Sequence, residues 1–129
     1  MIYKRDRNNQ DETNKILPFT NEEAHQFVTA SNALRDKINS ENKKEIITIL
    51  EHEVANTELS ITINTINNNK SKYVIEKTND ITCMLYTQRL SVDTYLRYIG
   101  KSEPFASILK VFTHSMEYDT IFAEKLNLK

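Results

Sequence analysis

Shifted by 62 positions against itself, the sequence meets a second copy of its own pattern without a gap. Val28 to Arg35 falls on Leu90 to Arg97, and Ile46 to His52 falls on Ile108 to His114. Of the 48 aligned pairs from Thr20/Thr82 to Asn67/Lys129, eight are identical: Thr20/Thr82, Gln26/Gln88, Leu34/Leu96, Arg35/Arg97, Ser40/Ser102, Glu41/Glu103, Ile46/Ile108 and His52/His114. Composition alone accounts for about three. Substitutions such as Val28/Leu90, Ile49/Val111 and Leu59/Ile121 keep their polarity. The pattern predicts an internal duplication. Such a duplication constrains the fold strongly, because each half has to repeat the element order of the other.

A repeat of about 48 residues is marginal as an independent fold, so the two copies are expected to share one core. The expected organisation is a mobile polar tail over 1–17 and a single domain over 18–129. That domain comprises repeat one (20–67), a connecting strand (68–81) and repeat two (82–129). Residues 1–17 are too polar to offset the entropy of ordering. Lys4, Arg5 and Arg7 lie there as a basic arm diluted by Asp6, Asp11 and Glu12. There is no run of 18 apolar residues and no apolar stretch behind Met-Ile-Tyr-Lys-Arg-Asp-Arg, so neither a membrane span nor a secretory signal is expected. The single Cys83 excludes an intrachain disulfide and fits a reducing compartment. A cytoplasmic protein is expected. The net charge of −1 argues against a protein coated in positive charge, but leaves room for a local basic face.

Thr20-Asn21-Glu22-Glu23 fits a capping box. Ala24, Phe27 and Val28 then share a helical face. With Thr29 as a second cap, Ala30, Ala33, Leu34 and Ile38 form the stripe of a second short helix, which gives a helix-turn-helix. Lys43 to Ile66 is predicted to be a hairpin with its tip near Asn56. Ile46, Ile49, Leu50 and Val54 also suit one helical face, but the alternation from Leu59 to Asn64 needs a pairing partner and favours strand. Asn67-Asn68-Asn69 is a turn, and Ser71 to Lys77 a further strand. In the second half, Asp80 caps a helix through Thr82, Met84, Leu85 and Gln88. Ser91 caps another from Val92 to Ile99, Gly100 ends it and Pro104 stops it from continuing. Ile108 to His114 and Thr120 to Leu126 complete the pattern as a second hairpin with its tip near Glu117-Tyr118. The expected fold is α+β: two winged helix-turn-helix units, antiparallel hairpins in the centre and a helix-turn-helix at each end.

Thr20-x-Glu22-Glu23-Ala24-x-x-Phe27, ending in Leu34-Arg35, is similar to the winged helix-turn-helix of excisionases, and Ser91-Val92-x-Thr94-x-Leu96-Arg97-Tyr98 resembles the recognition-helix region of MerR-type regulators. Two such units in one small chain resemble the TraN type of accessory protein from Gram-positive conjugative plasmids, over Thr20 to Lys129. That resemblance implies an internal-dimer fold, binding of double-stranded DNA near an origin of transfer and control of the transfer operon. Neither turn carries the usual Gly, and the wing tips are acidic at Glu53, Glu58, Glu117 and Asp119.

If each recognition helix enters a major groove, Arg35 and Arg97 occupy equivalent places for bidentate contact to guanine. Asn32 suits adenine and Thr94 a thymine methyl. Lys37, Asn39, Lys43, Tyr98 and Lys101 fall where phosphate contacts lie. The ordinary alternative for Arg35 is an ion pair with Glu23 or Asp36, and for Tyr98 core packing. His52 and His114 have no further ligands at metal spacing, and Cys83 has no activating base, so no metal, cofactor or enzymatic activity is expected. The leading expectation is a monomeric sequence-specific DNA-binding repressor or accessory factor. An architectural factor that bends DNA, and an adaptor for relaxosome or secretion-system proteins, are the alternatives.

Overall fold

The computed structural model describes residues 17–90 and 97–127. The sequence-predicted basic arm, and the segment that holds Ser91 and Thr94, lie outside the described residues. The chain runs helix, five strands, helix: α1 (Asn21–Asn42), β1 (Ile47–Val54), β2 (Glu58–Thr65), β3 (Lys70–Lys77), β4 (Thr82–Arg89), β5 (Arg97–Pro104) and α2 (Phe105–Asn127). The strands form one antiparallel meander in the order β1-β2-β3-β4-β5.

Side-chain alternation separates the two faces of this sheet. Register places Leu50 and His52 of β1 opposite Ile63 and Ile61 of β2. It places Leu59 and Ile61 opposite Ile75 and Tyr73 of β3, and Ile75 opposite Leu85 of β4. These residues face the helices. Phe27, Leu34 and Ile38 of α1 and Ile108, Phe112 and Met116 of α2 cover them in one cluster. Seven elements that reverse direction at every connection leave the first and the last pointing the same way. Phe19 against Phe105, Phe27 against Phe112 and Lys37 against Glu117 rise together along both helices, so α1 and α2 lie parallel.

The first half follows its sequence signals closely. Thr20 Oγ1 accepts the Glu23 amide at 3.0 Å and the Glu23 carboxylate accepts the Thr20 amide at 2.9 Å, a complete capping box. Lys43 ends α1 at φ 56°, Asn68 at φ 66° makes the β2–β3 turn, and Asn56 lies between β1 and β2 as expected. The β1 alternative of a helix is not taken.

The expected two winged helix-turn-helix units do not form. Thr29 starts no second helix: α1 is continuous, and the polar residues that suggested a turn are satisfied within it. The Ser31 hydroxyl reaches back to the Phe27 carbonyl at 2.9 Å, and Thr29 Oγ1 lies 3.4 Å from His25 Nε2. Mid-helix serine and threonine use such local partners routinely. Thr82 to Gln88, expected as a helix, is strand β4, because Cys83 and Leu85 are buried while Met84 and Tyr86 turn to the other face at period two. Asp80 caps no helix there. It accepts the Leu17 amide, while Asn79 Oδ1 accepts the Ile81 and Thr82 amides in the β3–β4 turn.

Gly100 ends no helix either. It sits in β5 opposite Leu85, where the register shifts, in keeping with glycine's place at strand irregularities. The expected second hairpin is helix α2, since Phe105, Ile108, Phe112, Met116 and Thr120 are buried at helical spacing, with Glu117-Tyr118 in mid-helix. The 62-residue match therefore lays a helix over two strands and a hairpin over a helix. Shared polarity along two segments does not impose a shared period.

Candidate nucleic-acid interface

The described residues expected to read DNA are divided between α1 with its C-cap and strand β5. Arg35 Nε is 3.0 Å from Asp36 Oδ1, the neighbouring ion pair weighed as its ordinary alternative. Lys37 Nζ reaches Glu117 Oε2 at 3.2 Å, and that hydrogen bond, with the Glu117 and Glu41 charges, holds the lysine above its usual range. Asn39 is committed to the core rim: its Oδ1 accepts the Ile47 amide at 2.9 Å and its Nδ2 donates to the Ile47 carbonyl at 3.3 Å. It thus ties the end of α1 to the start of β1. Asn32 is half-buried and Lys43 is exposed in the left-handed cap. Thr94 lies outside the described residues. Arg97, Tyr98 and Lys101 belong by backbone to β5, with Arg97 opposite Thr87 and Tyr98 opposite Tyr86, so they lie on a strand and not on a recognition helix.

Register brings together a different set. At the sheet end where α1 finishes stand Lys43 and Lys44 after α1, Lys70 and Lys72 at the start of β3, and Arg89 at the end of β4. The backbone of Arg97 opens β5 at the same end. Glu41 and Glu45 also stand there, and Asp119 of α2 lies close by on the Tyr73 hydroxyl. The opposite end carries Glu22, Glu23, Glu53, Glu58, Glu76, Asp80 and Glu103, against Lys77. A net charge of −1 thus hides a molecule polarised along its strands. Lys44, Lys70, Lys72 and Arg89 were not singled out from the sequence. Only the hairpin register gathers them, although Lys70 and Lys72 directly follow the Asn67-Asn68-Asn69 turn.

Two internal polar contacts complete the chemistry. Ser31 Oγ is 2.6 Å from His52 Nε2, and Phe27 packs edge-on to the imidazole with centroids 5.8 Å apart. Burial, aided by the Arg35 guanidinium, holds His52 below the usual histidine range. Ser31 is fully buried. A hydroxyl that no external molecule reaches makes no nucleophile, so this pair fastens α1 to β1. Tyr73 Oη donates to Asp119 Oδ2 at 2.9 Å, and burial together with the Asp119 charge raises the phenol's pKa. His114 is exposed on α2 beside Lys110 and Tyr118, while His52 lies beneath α1. Among the described residues no cluster of three metal-ligating side chains occurs, and no helix is long and apolar enough to cross a membrane.

Compared with protein families, with curated proteins and with solved structures, the chain gives no match. The class that the fold defines is a two-layer α+β domain: a five-stranded antiparallel meander with a parallel pair of helices on one face.

Proposed function

We propose that the protein binds double-stranded DNA with the basic end of its sheet, acting in the cytoplasm. The observation that carries this reading is the gathering of Lys43, Lys44, Lys70, Lys72 and Arg89 at the end of the strands away from most of the carboxylates. Cations concentrated on one surface release condensed counterions from a phosphate backbone, whatever the net charge of the whole chain. Binding of this kind is carried by phosphate contacts, which fix position before sequence. The test is a titration of labelled duplexes at two salt concentrations. Lys72→Ala combined with Arg89→Ala is expected to weaken binding about tenfold and to lower the salt slope by about 2. A wild-type protein that binds no duplex at low salt would overturn the proposal.

One observation favours a second reading, a protein partner on the open sheet face. There the half-buried Met84 and Tyr86 stand beside the buried Val74, with Glu76 opposite Met84, on the face turned away from the helices. Substituting Tyr86→Glu should leave DNA binding intact under the first reading and abolish partner capture under the second.

A further inference from the structure

Both helices begin at the acidic end of the sheet, and between their first turns lies a cleft of about 510 Å³. A space of this size is in the range that holds small molecules, roughly 300–1,000 Å³. Lys77 lines it and is 8% exposed. The side chain projects from β3 on the helix-facing side, in line with Tyr73 and Ile75 and opposite Cys83. Its ammonium stands 5.4 Å from the centroid of the Phe19 ring, and no hydrogen bond or ion pair reaches it among the described residues. The ring face is the contact partner of this ammonium among the described residues.

A second source of positive potential faces the same space. Pro104, Phe105 and Ala106 bring the start of α2 to the cleft, and α2 has no acid in its first turn. Its leading amides therefore keep the partial positive charge of a helix N-terminus. By contrast, α1 carries Glu22 and Glu23 in its first turn. The mouth of the cleft is negative, with Glu22 and Asp80 exposed on it. Asp80 Oδ1 accepts the Leu17 amide and Glu23 Oε1 the Thr20 amide; both keep their charge, but neither forms a direct ion pair with Lys77. The inner end of the cleft thus offers two positive groups, while the carboxylates at its mouth repel a dianion such as phosphate and attract a cation.

We propose that this cleft binds a small zwitterion of the free α-amino-acid class. Its carboxylate sits between the Lys77 ammonium and the first amides of α2, and its ammonium is held by Glu22 and Asp80. The inference is independent of nucleic-acid binding, which is assigned to the opposite end of the strands.

The test is thermal unfolding and isothermal titration of the full chain with each of the common L-amino acids. The deaminated carboxylates of the same side chains and inorganic phosphate serve as controls. At least one amino acid is expected to raise the melting temperature in the manner of a ligand that binds only the folded state. Its deaminated counterpart should bind about tenfold more weakly. Lys77→Met should abolish the shift. Asp80→Asn, at an exposed position, should weaken binding without disturbing the fold, and keeps the test open if the lysine variant does not fold. No response to any amino acid would overturn the proposal. So would equal binding of the deaminated acid or of phosphate, or an unchanged response in Asp80→Asn.

Discussion

The two helices cover the same sheet by different means. α2 presents Ile108, Phe112 and Met116, all fully buried, and adds one charged hydrogen bond, Tyr73 to Asp119. α1 presents Phe27, Leu34 and Ile38, but it is also fastened by polar groups at two places on β1, Ser31 to His52 and Asn39 to Ile47. Apolar packing constrains register along the helix less sharply than a hydrogen bond to a particular strand residue does. The polar anchors therefore fix where α1 lies on the sheet edge, and the ring stack Phe27, Phe112 and Tyr73 then positions α2 against it.

The largest effect is expected at the apolar centre of the α2 packing. Phe112 touches Phe27 and Tyr73, with centroids 5.2 and 5.4 Å away, so Phe112→Ala empties the junction of both helices and the sheet. It should cost about 4 kcal/mol in chemical denaturation. Tyr73→Phe keeps the ring and removes the donor to Asp119, which retains the Ser115 hydroxyl at 3.3 Å. About 2 kcal/mol is expected, measured in the same way. Asn39→Ala removes both bonds to the Ile47 backbone and should cost about 1.5 kcal/mol. Amide exchange at Ile47 should rise with it, because that amide loses its acceptor. An unchanged exchange rate at Ile47 would mean that the Asn39 bonds do not hold α1 to β1.

The smallest effect separates the helices by pH. His52 is held below its usual range by burial first and by Arg35 second. Its folded-state pKa is lower than its unfolded one, so the stability it contributes is present above about pH 6.5. That contribution is lost as pH falls through the lower folded value, because protonation then favours the unfolded chain. Thermal melts should show a small decline below neutrality, and His52→Gln should flatten it. The α2 seam has no histidine on its buried side among the described residues. A decline that survives His52→Gln would place the titrating group elsewhere.

The same division explains what could be read from the chain alone. The Thr20/Glu23 capping box, the alternation from Leu59 to Asn64 and the Asn67-Asn68-Asn69 turn are local signals, and the corresponding elements form where expected. The second half also carried its signals. Phe105, Ile108, Phe112 and Met116 are helically spaced, and Cys83, Leu85 and Thr87 alternate. The apparent repeat overrode them, because polarity matching aligned segments of different period. Ser31 with His52 and Tyr73 with Asp119 are contacts between distant segments, invisible until the sheet order is known. The basic end is of the same kind: Lys43, Lys72 and Arg89 become neighbours only through three separate strand connections.

Because each strand pairs with the next in sequence, the sheet closes through short loops, whose entropic cost is small. During synthesis β1 to β5 all emerge before α2, and hairpins of this size form within about 10 μs. The growing chain therefore holds a nearly complete sheet with Tyr73, Ile75 and Leu85 uncovered until Ile108, Phe112 and Met116 have left the ribosome. Stalling in that interval would leave a nascent chain with a bare apolar surface, a natural client for a ribosome-associated chaperone.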